Sequence, residues 1–416
     1  MNDKALKSEA YLDIVWRQFR KNRAALISLW LLVPVFLIAI FAPLLASNQP
    51  LVFHDGEQSI YPWFRALFNP GNTVDYVYNM ALVGFVPWAV LATVLNYRLR
   101  RQGVSGPYRA LLIAGLFVTT VTVLSLVFLI PGVAPKNKYR ARSFSEEQFR
   151  SKGERSGIYA PIPFGAIEQD NGAFFKPPLF RKPADQWRES NDGYPHWLGT
   201  DDTGRDVVVR MIFGTRISMT VGFVAVSLYV TIGVILGAIA GYFGGSIDIL
   251  ISRIIEIMLL FPSFFLILTL VAMLGPSILI IMFVIGITGW PTVARLIRGE
   301  VLKQRSLDYV QAARALGATH PRIVFRHILN NALSPALVAA PFGIASAIVT
   351  EAGLSLLGFG VRPPTPTWGI LLRLGSANYS YWWLIIVPMV AIFFCVTVFN
   401  LVGAGLRDAM DPRLRS

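Results

Sequence analysis

Apolar and polar residues alternate in long blocks along this chain, and the apolar blocks have the length of membrane spans. They fall at about 24–46, 80–96, 110–131, 217–241, 251–274, 277–292, 335–357 and 381–405. Most approach or exceed the roughly 20 residues that cross a ~30 Å hydrocarbon core. The pattern predicts an all-α polytopic membrane protein with about eight transmembrane helices. Polar blocks lie at 47–79, 132–215 and 293–334, and the last is basic, amphipathic and punctuated by Gly and Pro.

Orientation follows from the basic residues. Arg17, Arg20, Lys21 and Arg23 precede the first run and place residues 1–23 in the cytoplasm. Counting spans then puts three further segments inside. These are the turn bearing Arg98, Arg100, Arg101 and Arg109, the 293–334 loop, and the tail at 406–416. Arg295, Arg298, Lys303, Arg305, Arg314, Arg322 and Arg326 make the 293–334 loop strongly basic, so charge and parity agree. Both termini are therefore expected in the cytoplasm. Segment 132–215 falls outside; loops beyond about 60 residues escape the charge bias, so its Lys and Arg raise no conflict. Trp187, Tyr194 and Trp197 predict that part of it is ordered.

Composition narrows the function. Of 416 residues 54% are apolar and 15% charged, too little charge to cover a soluble surface. The net charge of +14 is spread over separate loops, which speaks for topology and anionic lipid head groups rather than nucleic acid. With Cys395 as the single cysteine, neither an intrachain disulfide nor a thiolate cluster can form. The N-terminal segment is too long and acidic for a signal peptide, so the first span is read as an uncleaved helix.

Candidate chemistry is sparse. No G-x-x-x-x-G-K-[ST] occurs, so ATP cannot be cradled here and energy must come from another chain or a gradient. His54, His196, His320 and His327 are scattered over both sides, and GTDDTGRD at 199–206 lacks the ligand spacing of a calcium loop. It reads instead as a capped turn leading into an amphipathic outer helix. No nucleophile–base or metal constellation points to an enzyme. Glu256 and Glu351 lie in apolar runs, where a carboxylate is costly. Glu256 is expected near the inner interface beside Arg253. Glu351, in the outer half of its span, is a candidate for the translocation path, a hydrogen-bonded interfacial residue being the alternative. Pro262 and Pro276 predict a kinked span with a tight outer turn.

The stretch DYVQAARALGATHPRIVFRHILNNALSP, 308–335, predicts two short helices at the cytoplasmic surface. Ser306 can cap the first, with Asp308 in its opening turn. Gly317 suits a left-handed terminator. Thr319 can cap the second, and Pro321 fits its first turn. Val324, Phe325 and Ile328 are expected on a face away from Arg322 and Arg326. Ala312, Ala313 and Ala315 leave the first helix open to close approach by a partner, an ordinary interfacial helix being the alternative.

QAARALG followed by RHILNNALSP resembles the loop of ABC-importer permeases whose motif reads E-A-A, three variable residues and G. Gln311, Ala312, Ala313 and Gly317 occupy the matching places, with Gln311 standing for the usual Glu and Asn330 for a common Pro. HWLGTDDTGRDVVVRMIFGTRIS at 196–218, TEAGLSLLGFGVRPPTPTWGILL at 350–372 and the ending GLRDAMDPRLR resemble segments of the C-type permease subunits of dipeptide, oligopeptide and nickel importers. The resemblance is close over 196–415 and loose over 24–46.

The resemblance implies a type I ABC-importer transmembrane domain. Its family core would comprise 24–46 and 216–405, with the hairpin at 80–131 added to six spans. It further implies a bacterial inner-membrane location and a second permease as heterodimer partner. Two ATP-binding subunits would hold ATP and Mg, and an extracytoplasmic substrate-binding protein would deliver solute. No cofactor is expected in this chain. Asp308, Gln311, Ala312, Ala313 and Gly317 would form the ATPase-coupling surface. Peptides are the implied substrate; nickel or another small solute is the alternative, and gradient-driven secondary transport the rival.

Overall fold

The computed structural model describes residues 11–55, 58–136, 155–183 and 193–411. The first helix among the described residues, the short amphipathic α1 (Tyr11–Phe19), buries Val15 and Phe19 against Ala25, Ala409 and Met410. Asn22 then caps the first span, α2 (Arg23–Leu45), by accepting the Ala25 amide at 3.1 Å. On the outer side β1 (Val52–Asp55), β2 (Gln58–Ile60) and the one-turn α3 (Pro62–Ala66) precede the added hairpin. Its helices are α4 (Thr73–Arg101), capped by Asn72, and α5 (Gly106–Leu129). Strand β3 (Arg155–Ile158) returns to pair antiparallel with β1, giving the order β2-β1-β3. The chain is mostly helical, as expected, and a small outer sheet accompanies the helices.

The second half begins with α6 (Val207–Phe243), whose 37 residues extend about 55 Å at 1.5 Å per residue. The helix starts ten residues before the apolar run at 217, because Arg210 and Arg216 interrupt the hydropathy without interrupting the helix. Then come α7 (Gly245–Leu260) and α8 (Ser263–Leu274), bent by 87° at Phe261–Pro262, where the proline predicted a kink. Helix α9 (Ile278–Arg305) continues thirteen residues beyond its apolar run, so the first third of the presumed 293–334 loop is helical. The surface segment contains α10 (Asp308–Ala315) and α11, which comprises His320–Arg322, a π-helical turn at Ile323–Ile328, and Leu329–Ala332. The last elements are α12 (Ser334–Leu356), the short α13 (Trp368–Ala377) and α14 (Trp383–Met410). Among the described residues seven helices are long and apolar enough to cross a membrane, and the bent α7–α8 pair, counted as one span, brings the number to eight.

Helices α6 and α9 form the central pair. Gly233, Gly237 and Gly241 line one stripe of α6 at four-residue spacing and meet Val293, Ala294, Ile297 and Val301 of α9. A Cβ on Gly237 would sit 2.5 Å from the Ala294 carbonyl oxygen, and one on Gly241 2.8 Å from that of Arg298. Backbone meets backbone, as small-residue stripes allow in a bilayer, where packing rather than water drives helix association.

The hairpin is fastened to this core by one buried cation. The Arg216 guanidinium donates to the Ala39 carbonyl on α2 (2.7 Å), to Asp75 Oδ1 (2.9 Å) and to Asn79 Oδ1 (3.0 Å) on α4. Tyr78 and Phe213 rings flank it at 5.3 and 5.1 Å. Asn79 turns its Nδ2 to the Leu67 carbonyl at 2.9 Å, so both ends of that amide are used. Within the hairpin, Tyr76 donates to the Ser125 carbonyl and Trp88 to that of Ile113.

Two variant pairs test this architecture. Gly237→Ala is expected to lower stability by about 1–3 kcal/mol, because the clash forces two backbones apart. Gly299→Ala, where nothing lies within 4 Å of an added Cβ, is expected to leave the melting temperature in detergent unchanged or slightly raised. Equal melting of the two would remove the close-contact argument. Asp75→Ala strands a buried guanidinium and is expected to cost about 3–5 kcal/mol, with Arg216→Met in the same chain recovering part of the loss. A double variant as unstable as the single one would mean that the ion pair does not hold the hairpin.

Candidate coupling surface and outer anchor

The cytoplasmic ends of α6, α7 and α9 are tied by a small set of polar contacts. Arg298 on α9 forms a bidentate pair with Asp248 on α7, its Nη2 lying 2.7 Å from Oδ2. Arg305, the last residue of α9, donates Nη1 to the Tyr242 carbonyl at the end of α6 at 2.9 Å. The Tyr242 hydroxyl in turn lies 2.7 Å from His320 Nδ1 at the start of α11. The end of α9 from which α10 departs is therefore held to α6 and α7.

Helix α10 starts one residue later than its polar signals suggest. Its N-cap is Leu307, with no side-chain cap; the Ser306 hydroxyl instead donates to the Lys303 carbonyl at 2.8 Å and finishes α9. The capping role expected of Ser306 is corrected because α9 runs on to Arg305, leaving Ser306 at its C-cap. Gln311 Nε2 donates to the Arg305 carbonyl at 3.2 Å, and Tyr309 donates to Gln304 Oε1 at 2.7 Å. A carbonyl acceptor fixes the orientation of the Gln311 amide, and a carboxylate could not make the same bond. Val310 is wholly buried with Ile323 and Ile328, anchoring α10 on α11.

The opposite face of α10 is open. Asp308, Gln311, Ala312, Arg314 and Ala315 are exposed and Ala313 is partly so. Gly317 has φ +78° with nothing within 4 Å of an added Cβ, so glycine is required there by backbone conformation alone. The Gly317 and Ala318 amides close the helix on the Arg314 and Ala313 carbonyls at 3.0 and 3.1 Å. Leu316 is 88% exposed and Phe325 72%. The expectation for Phe325 is thereby corrected: the π turn rotates it outward, and Ile323 joins Ile328 inside. Thr319 does precede α11, with Pro321 in its first turn, but makes no side-chain cap bond.

On the outer side the acidic turn at 199–206 is a structural knot. Asp201 accepts from the Thr203 and Arg205 amides (2.9 and 3.0 Å) and from Arg205 Nε (2.7 Å), with the buried Arg210 Nε 3.2 Å away. Asp206 caps α6 through the Val209 amide and holds His196 Nδ1, each at 2.9 Å. The turn is capped and leads into a helix, as the sequence suggested, and that helix is α6, which runs on through the span. Trp383 on α14 donates to the Thr200 carbonyl at 3.1 Å, joining this knot to the last span. Tyr194 and Trp197 are about half exposed, so the ordering of 193–206 rests on these polar contacts; Trp187 lies outside the described residues.

Glu351 is wholly buried on α12, where the Ser355 hydroxyl donates to Oε1 at 2.7 Å. Gly360 and Gly369 pack directly on Ser355, so the return from α12 to α13 closes over the carboxyl group. A cavity of about 260 Å³ between α2, α6 and α14 is walled by Val35, Met211, Thr215 and Phe394, and Glu351 is not part of that wall. Glu256 forms an exposed 2.6 Å pair with Arg253.

Residues 233–416 match the family described as the binding-protein-dependent transport system inner membrane component. Residues 10–62 match the N-terminal TM domain of oligopeptide transport permease C. A dipeptide transport system permease protein of Alkalihalophilus pseudofirmus is 44% identical over 223 residues, 53% of this chain and 73% of that protein. One from Haemophilus influenzae is 40% identical over 266 residues, 62% of this chain and 86% of that protein. An oligopeptide transport system permease protein of Bacillus subtilis is 43% identical over 223 residues, 53% and 72% respectively. By these matches, and with its seven or eight membrane-spanning helices, this chain belongs to the dipeptide/oligopeptide class of ABC-transporter permease subunits of the bacterial inner membrane.

Proposed function

We propose that this chain forms one half of the translocation path of an ATP-driven importer of di- and oligopeptides. The observation that carries the reading is α10. It is a short, largely exposed helix with three alanines, clamped to the end of α9, which is itself tied to α6, and it ends at a left-handed position that calls for glycine. A groove on an ATP-binding subunit can approach such a helix closely, with Leu316 and Phe325 as apolar contacts beside it. The relatives, dipeptide and oligopeptide permeases by name, support a peptide substrate.

The remaining parts of the assembly are then a second permease, two ATP-binding subunits holding ATP and Mg, and an extracytoplasmic substrate-binding protein received by the outer sheet and loops. Asp308, Gln311, Ala312, Ala313 and Gly317 form the grip. Movement of the ATP-binding pair does work on this chain only if α10 is bound differently in the two states. Pushed through the Arg305–Tyr242 and Arg298–Asp248 ties, α6, α7 and α9 move together. Glu351 is enclosed in the present conformation, so it enters the path only in a state that parts α12 from the return at 358–369.

Gly317→Val and Ala313→Trp are each expected to lower ATP-driven peptide uptake more than tenfold and to abolish co-purification of the ATP-binding subunit, while membrane insertion is unchanged. Normal uptake in both would sink the grip assignment, and uptake driven by a proton gradient without ATP would move the chain to secondary transport. Gln311→Glu is expected to weaken the α9–α10 tie by about 1 kcal/mol, read as faster amide exchange across α10. Unchanged exchange would mean that the Gln311 bond does not position the helix.

A further inference from the structure

The inner end of the added hairpin has no part in the function proposed above, and it is strongly cationic. Arg98, Arg100 and Arg101 occupy the last turn of α4 and are exposed. Arg109, on the first turn of α5, donates Nη1 to Asn96 Oδ1 at 3.0 Å, and Arg101 lies over the Tyr97 ring at 4.5 Å. Neither contact neutralises a charge.

A second set of cations stands beside this one. Arg20, Lys21 and Arg23, at the junction of α1 and α2, are also exposed. Helix α1 packs against α5 as well as α14, which brings the junction and the hairpin turn to the same end of the bundle. Among the described residues no carboxylate pairs with Arg20, Lys21, Arg23, Arg98 or Arg100. The carboxylates on the neighbouring helices are Asp13 on α1, and Asp408 and Asp411 at the end of α14; Asp408 accepts from Asn22 Nδ2 at 3.2 Å.

Two further features fix what such a surface would meet. Trp16, Tyr97 and Tyr108 are 38%, 55% and 37% exposed at this same end, and exposed Trp and Tyr mark the head-group level of a bilayer. From there α5 presents Leu111, Leu112, Val118 and Leu126 outward along its length, an apolar track running away from the cations. A cationic end at interfacial depth with an apolar track beneath it matches both parts of a phospholipid. Orientation by the positive-inside bias asks for basic residues in each loop but not for two basic loops packed side by side.

We propose that the α1–α2 junction and the α4–α5 turn together form a binding site for the phosphodiester head group of an anionic phospholipid, with the acyl chains lying along α5. The Arg216 lock at the far end of the hairpin keeps the two halves of the site in register. The added hairpin thus completes a lipid site whose other half lies at the start of the family core.

The test uses the full chain, purified in mild detergent and titrated with dioleoyl-phosphatidylglycerol or dioleoyl-phosphatidylcholine, retained lipid being counted by native mass spectrometry. The wild-type chain is expected to keep phosphatidylglycerol in clear preference. Arg100→Gln and Lys21→Gln, one on each side of the site, are each expected to cut that retention about fivefold. Single changes leave the other cations to hold topology, which labelling of a cysteine placed in the turn verifies. Arg322→Gln, on the exposed coupling surface, is the control and is expected to retain as much as wild type. Equal retention of the two lipids by the wild-type chain would overturn the proposal. So would loss of phosphatidylglycerol from the control to the same degree as from the two site variants, since that would show attraction to net charge alone.

Discussion

The contact between α6 and α9 is the constraint on which the rest of this structure depends. Inside a bilayer, lipid tails are as apolar as leucine, so two helices associate only if they pack better with each other than with lipid. Gly233, Gly237 and Gly241 supply that advantage by letting α9 come within backbone distance of α6. Both helices continue beyond the apolar runs, and their cytoplasmic ends are held at a spacing set by the glycine stripe. The ties from Arg305 to the Tyr242 carbonyl and from His320 to the Tyr242 hydroxyl are possible only at that spacing. Helix α10 inherits its position from them.

The polar residues divide into two groups with different tasks. Toward the cytoplasm, Asp248, Arg298, Arg305 and Gln311 make partly exposed contacts that join one helix end to another. Such contacts are individually modest, but together they allow a force on α10 to reach three helices. On the outer side, Asp201, Asp206, Arg210 and Arg216 are wholly or almost wholly buried. Buried ion pairs add little net stability over apolar packing, yet losing one partner is severe. They fix which helix meets which, and so set the geometry of the outer end.

Much of this was legible in the sequence because hydropathy and charge report on solvent, and the bilayer is a strict solvent. The placing of the apolar helices and the left-handed Gly317 follow from that. Helix ends were misplaced for a related reason. Hydropathy registers where the lipid stops, not where the helix stops, so α9 ran unseen to Arg305 and α6 began unseen at Val207. Ser306 then appeared to start a helix when it was finishing one. The π turn of α11, which exposes Phe325, depends on how Ile323 and Ile328 settle beside Val310, a tertiary preference with no local signature. The β1–β3 pairing joins strands of four residues about a hundred positions apart, too short and too distant for pattern to disclose. The Gly233–Gly237–Gly241 spacing is the one missed feature that the sequence did carry.

The hairpin shows how a family core admits an insertion. Two apolar helices added on one side preserve the parity of every later span, so topology imposes no penalty. Docking is the harder requirement, because an apolar helix gains little by leaving lipid for another apolar surface. Arg216 resolves it. It belongs to the family-like GTRIS segment and is buried beside the α2 carbonyls, where it needs an acceptor of opposite charge. Asp75 and Asn79 on α4 supply that acceptor from the insertion. A buried charge on the core selects one docking position for the hairpin out of many equally apolar ones, which is specificity that hydrophobic contact in a bilayer cannot provide.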